Sequence, residues 1–223
     1  MRLVILGATG PTGQELVKQA LGRDHRVLAV GRRPEDFPKE LLDNSNFDSV
    51  KGDVFSSESL LERVKGSDAV LSALGAHTKA SAFKASTNLY LPSARAVVGA
   101  MKEAGVRRLV AMGSAFTGTD LDMTTVERFM AKTVLGKFHR GHVNDLNDME
   151  GYLASEKDVV DYTVVRAPGL LNGRLTDKPI FSAENAHVVT GKSLFIERSD
   201  VARFMLDAVE NGLHLRKCVA IAV

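Results

Sequence analysis

Three glycines stand three apart near the start of the sequence: Gly7, Gly10 and Gly13, in the run GATGPTG. They follow the short apolar run RLVIL (2–6) and lead straight into a helical pattern, PTGQELVKQALG (11–22). That placement suits a phosphate. The first glycine allows a tight turn, the second lets backbone approach a pyrophosphate, and the third lets helix and strand pack closely. Thr9, Pro11 and Thr12 fill the rest of the turn. Backbone N–H groups at a helix start face negative charge. Pro11 removes one donor but fits the first helical turn. A glycine turn alone can be a plain connection. The strand before it and the helix after it, within a βαβ unit, favour a dinucleotide.

A second group sits at the end of the next strand-like run. Where a site for NAD carries an acidic residue to hold the ribose hydroxyls, this chain has VGRRPED, with Arg32 and Arg33 after Gly31. A guanidinium matches a dianionic 2′-phosphate through charge-assisted, often bidentate bonds. The reading is therefore NADPH. Glu35 and Asp36 stand close enough in sequence to pair with these arginines instead, and solvated arginines are common after any strand.

These groups need a scaffold, and the hydrophobic pattern supplies one. Apolar, β-branched runs at 2–6, 25–31, 49–54, 68–75, 106–116, 161–169 and 217–223 read as strands. Helical patterns lie between them at 11–22, after Ser56 or Ser57, at 86–105, 124–136, 143–157 and 202–212. Pro92 predicts a kink or irregularity in the 86–105 helix, and Gly105 ends it. Strands bounded by helices, without clean two-residue alternation, imply a parallel sheet covered on both faces. The expected fold is α/β: a Rossmann-like doubly wound parallel sheet, three layers α/β/α, in a single domain over 1–223. The segments 117–142 and 170–198 have less rhythm and are expected to be loops at the mouth of a site. Leu74, Gly75 and Ala76, at the end of the fourth strand, are expected to border the cofactor.

Composition narrows the function classes. The chain has 223 residues, 44% hydrophobic and 25% charged, with formal net charge +2. Lys and Arg are scattered, so no nucleic-acid footprint and no polybasic membrane patch stands out. The single cysteine, Cys218, excludes an internal disulfide, and clustered Cys/His metal spacing is absent, so no metal is expected. No signal-peptide pattern opens the chain, and no stretch approaches the ~20 apolar residues of a membrane helix. The expected setting is cytoplasmic. No heptad seam is evident, and a monomer is expected.

Taken together, GATGPTG, GDV (52–54), DAVLSALG (68–75), AMKEAGVRRLVAMGSAF (100–116) and DYTVVRAPG (161–169) resemble the atypical, NmrA-like short-chain dehydrogenase/reductase group. GATGPTG, GDV, AMKEAGV and SAF look most like its biliverdin-IX-beta reductase and NADPH-dependent flavin reductase branch. The likeness is good over the first 116 residues and looser beyond. It implies that Asp53 and Val54 flank the adenine and that Ser114, with Ala115 and Phe116, lies beside the nicotinamide as the catalytic hydroxyl. Ser114 could equally close a strand end. Phe116 either walls a planar substrate or packs in the core. The resemblance puts Pro168 and Gly169 at the cofactor too, but Gly169 stands where the family carries histidine. That departure counts against biliverdin and predicts a more open pocket floor.

The three tyrosines, Tyr90, Tyr152 and Tyr162, all lack a lysine four residues on, so the Tyr-x-x-x-Lys acid of most short-chain reductases is missing. His77 is a further candidate to face the site, or a loop histidine in solvent. The basic amphipathic stretch 129–140 could attract acidic substrate tails, or be an ordinary solvated face. The expected function is hydride transfer from NADPH to flavins such as FMN and riboflavin, or to related planar acceptors including linear tetrapyrroles. The alternatives are a non-catalytic NADPH sensor of NmrA type, and a reductase or isomerase of another small metabolite.

Overall fold

The computed structural model describes residues 1–75, 88–117 and 140–223. In chain order the elements are β1 (Arg2–Leu6), α1 (Pro11–Gly22), β2 (Arg26–Gly31), α2 (Lys39–Leu42), β3 (Phe47–Lys51), α3 (Ser57–Val64), β4 (Ala69–Ser72) and α4 (Tyr90–Ala104). They continue with β5 (Arg108–Ser114), α5 (Arg140–Ser155), β6 (Asp161–Ala167), β7 (Gly169–Leu171), β8 (Phe181–Glu184), β9 (Phe195–Glu197), α6 (Arg198–Glu210) and β10 (Lys217–Ala222).

The main sheet runs β3-β2-β1-β4-β5-β6-β10-β8. From β3 to β10 every pairing is parallel. The order reverses between β1 and β4, and the crevice at such a switch point is where open α/β sheets take their ligands. Successive residues of each strand feed opposite cores. Leu3 and Ile5 join the cluster under α1 and α6, with Leu71, Val110, Val165 and Ile221. Val4 and Leu6 join the cluster under α3, α4 and α5, with Val70, Leu109 and Val164. Both faces are apolar, which is why the strands read as continuous hydrophobic runs. This is the expected Rossmann-like, three-layer arrangement.

Four details differ from expectation. Segment 170–198 is not simply loop. It holds β8, which pairs antiparallel with β10 at the sheet edge, and β9, which pairs with β7 in a separate two-stranded ribbon. Helix α6 begins at Arg198, not 202. Pro92 does not kink α4: it lies in the first turn, where a missing N–H costs no helical bond. Residues 88 and 89 are not helical, while 86–87 and the expected helix 124–136 fall outside the described residues.

Candidate cofactor and acceptor site

The turn between β1 and α1 is shaped by backbone crowding. Gly7 has φ 72°, and a Cβ there would lie 2.7 Å from the Ala73 carbonyl oxygen at the end of β4. Gly13 is tighter still: a Cβ would lie 2.1 Å from the Gly7 oxygen and 2.6 Å from Ala8 Cα. These two glycines perform the turning and packing roles assigned from their spacing. Gly10 differs. Its backbone is extended (φ −74°, ψ 161°), and its nearest neighbour to a Cβ is the Gly7 oxygen at 3.2 Å. The cradle above it is bounded by backbone rather than by side chains. Gly10 N donates to Gly7 O over 3.0 Å, and the first helical bond runs from Gln14 N to Gly10 O at 2.8 Å. No side chain caps α1, and Pro11 has no N–H. The amides of Thr12 and Gly13 lie in the first turn, before any intrahelical carbonyl can serve them. Thr12 is buried, while Thr9 and Pro11 are exposed. Such a cradle fits a pyrophosphate.

The neighbouring strand ends border the same crevice. Arg32 and Arg33 are exposed just past β2. Arg32 makes no side-chain hydrogen bond or ion pair among the described residues, so the alternative pairing with Glu35 is not formed there. After β3, Asp53 accepts a hydrogen bond from Phe55 N (2.9 Å), and its own N donates to Ser59 Oγ (2.9 Å). Val54 and Leu74 are half-buried against the α3–α4 core, and Gly75 is exposed. Ala76 and His77 lie outside the described residues, as does most of 129–140.

At the other end of the crevice, Ser114 closes β5. Its Oγ accepts from Phe116 N (3.2 Å), and its carbonyl accepts from Thr117 Oγ1 (2.7 Å). The hydroxyl proton stays available for donation. Phe116 is half-buried, whereas Ala115 is buried and donates its N–H to Ala167 O (2.9 Å). Pro168 is buried beside it. Gly169 does not open the pocket floor as expected. The Phe195 ring fills that place, 2.6 Å from where a Gly169 Cβ would stand. Tyr90 opens α4 and lines a small cavity with Leu74 and Met112, whereas Tyr162 is buried within β6 and Tyr152 lies under the Arg95 guanidinium, 5.5 Å from its ring centroid. Burial raises the phenol pKa of the latter two, and so keeps them neutral.

Three polar arrangements were not foreseen. Under Ser114, buried Glu150 and Arg166 form a two-pronged ion pair (2.6 and 3.1 Å), while Thr117 Oγ1 reaches Glu150 (3.1 Å) and Arg166 reaches Ala186 O (2.8 Å). An arginine inside the apolar run TVVRAP was the available signal, because a buried charge needs a partner. Beside the pair, burial and the Glu150 charge push the Cys218 thiol up to about 12. The second arrangement is Asp145, on α5. Its carboxylate accepts from Leu89 N (2.7 Å), Tyr90 N (2.8 Å) and Leu91 N (3.0 Å), and so caps α4. In the third, the start of α6 pins segment 172–178: Glu197 accepts from Gly173 N, Arg198 bonds Asn172 (2.5 Å), and buried Asp200 takes Thr176 Oγ1 (2.8 Å). Among the described residues no cluster of His, Cys, Asp and Glu could hold a metal, and no helix is long and apolar enough to cross a membrane.

The sequence profile of the NAD(P)H-binding family matches residues 7–212, from the first glycine of the turn to just past the last helix. The chain belongs to the NAD(P)H-binding family. Among solved structures, this NAD(P)H-binding protein is similar to a provisionally named epimerase from Bacteroides thetaiotaomicron, with 26% identity, coverage of 99% and 96% of the two chains and a TM-score of 0.80. It shares its fold with a short-chain dehydrogenase/reductase of Veillonella parvula in complex with NADP (16% identity, coverage 100% and 94%, TM-score 0.79). A provisionally named NADH-flavin reductase from Streptococcus pneumoniae also has this fold (18% identity, coverage 100% and 99%, TM-score 0.74).

Proposed function

We propose that this chain is an NADPH-dependent reductase of flavins, such as FMN and riboflavin, or of related planar conjugated acceptors; biliverdin belongs to that class. The carrying observation is the reacting end of the crevice. The Ser114 hydroxyl stands there at the end of β5, and the sequence holds no Tyr-x-x-x-Lys acid.

Bound NADPH supplies the hydride. The α1 cradle holds its pyrophosphate, and Arg32 pairs with the 2′-phosphate. Ser114 would donate one hydrogen bond that orients the nicotinamide, while Thr117, itself against the Glu150–Arg166 pair, holds the Ser114 carbonyl. A flavin takes hydride at N5 and spreads the negative charge over its heteroatoms, so the remaining proton comes from solvent. A simple ketone would build up an alkoxide without a positioned donor. Flavins and quinonoid dyes should therefore be reduced, and unactivated ketones not.

Steady-state NADPH oxidation with FMN, riboflavin and a dye tests this directly. Ser114→Ala should slow turnover about tenfold, equivalent to ~1.4 kcal/mol. A collapse of several orders of magnitude would make Ser114 a true acid–base residue. Tight NADPH binding with no turnover of any flavin, dye or tetrapyrrole would point instead to an NADPH sensor.

A further inference from the structure

Beyond the carboxyl ends of β5 and β6, the ribbon β7–β9 sets Gly169 opposite Phe195. A Cβ on residue 169 would stand 2.6 and 2.8 Å from Phe195 ring carbons and 3.1 Å from the Leu194 oxygen. The ring rests on the Gly169 backbone because glycine leaves that space empty. Yet Phe195 remains 52% exposed. Leaving so much apolar surface in water is unfavourable, and the backbone under it is firmly held. Ser193 Oγ accepts from Phe195 N (3.0 Å), Gly169 N donates to Leu194 O (2.8 Å), and the next residue, Ile196, is fully buried. The ring is also close to the reacting end. Gly169 is two residues past Ala167, which pairs with Ser114 at the end of the β5–β6 ladder.

We propose that Phe195 is a specificity-determining residue: an aromatic platform on which a planar, conjugated acceptor stacks, with Gly169 kept free of a side chain so that the ring can take that position. The proposal rests on the reductase reading and adds to it the surface that selects flat substrates. Aromatic faces favour offset stacking on other π systems, and a fixed backbone limits the ordering cost on binding.

The test compares wild type with Phe195→Ala, and with Phe195→Leu in case the smaller side chain disturbs the ribbon. Two readouts are used: NADPH oxidation with FMN, and fluorescence titration of lumichrome, a flavin ring without its ribityl chain, into the NADP-bound protein. Both variants should raise the KM for FMN about tenfold, with kcat changed by less than about threefold and NADPH affinity unchanged. Lumichrome affinity should fall by the same factor, and Phe195→Tyr should restore both. Wild-type turnover with KM and lumichrome affinity unmoved in Phe195→Leu would overturn the platform and leave the reductase reading standing. Lumichrome binding that is lost in Phe195→Leu, without flavin turnover in wild type, would keep the platform and overturn the reductase reading. Absence of both binding and turnover in wild type would overturn the two together.

Discussion

Helices α1 and α4 begin beside each other at the carboxyl edge of the sheet, one following β1 and the other following β4, across the point where strand order reverses. Each start presents unpaired amides and the positive end of a helix dipole. The chain treats them in opposite ways. At α4, Asp145 takes the N–H groups of Leu89, Tyr90 and Leu91, and Pro92 has none to offer. At α1, no side chain caps the helix, and glycines keep side chains out of the cradle. One helix start is neutralised by the protein's own carboxylate, and the other is left without a side-chain cap. A doubly wound sheet thus offers several helix starts at one edge, and the protein fills some of them itself.

The largest effect should come from spoiling the open helix start. Gly13→Ala drives a Cβ against the Gly7 carbonyl, and such backbone overpacking should cost about 3 kcal/mol or more. Thermal unfolding should show a large drop in midpoint, and NADPH titration a loss of binding in whatever folds. A variant with wild-type stability and affinity would contradict the close packing of α1 on β1. Next is Asp145→Ala, which strands three amides and should destabilise the protein by about 2–3 kcal/mol. NADPH affinity at α1 should survive in the folded fraction, as isothermal titration would show. If affinity falls as steeply as stability, the two helix starts are not independent.

Arg32→Ala addresses what lies beyond the cradle. NADPH binding should weaken by roughly 1.5–3 kcal/mol, through loss of a charge-assisted phosphate contact, while NADH binding stays nearly constant. Equal losses for both nucleotides would show that Arg32 does not read the 2′-phosphate. The smallest change is Asp145→Asn. The amide oxygen can still accept from α4, and asparagine is nearly as good a cap as aspartate, so chemical denaturation should report a loss below about 1 kcal/mol.

The open helix start was legible in the sequence, and the closed one was not, for a physical reason. The constraints on Gly7 and Gly13 come from residues a few positions away or from the adjoining strand end, so glycine spacing and the flanking hydrophobic runs record them. Asp145 acts on amides 54 to 56 residues earlier in the chain. An aspartate on a helix gives no local sign of that partner. Arg166 did carry a sign, a charge in a buried strand, but nothing local named Glu150. The sheet was readable because both faces of each parallel strand are apolar. The antiparallel β8 escaped because FSAE is short and largely exposed, and only its pairing with β10 makes it a strand. Phe195 was missed because its role depends on an absence at Gly169, across the ribbon.

The insertion of β10 between β6 and β8 bears on the order in which the molecule can assemble. Residues 1–114 contain β1 to β5, five adjacent strands with helices for both faces, and that half can collapse on its own nearest neighbours as it leaves the ribosome. Strand β8 has no such opportunity. Its sheet partner is made later, 35 to 41 residues further along the chain, and closing a loop of that size precedes any reward from pairing. Until β10 docks against β6, the neighbourhood of β8 lacks its sheet anchor. The half that carries the glycine turn is therefore set early in the history of each molecule, and the half that carries β8 is completed last.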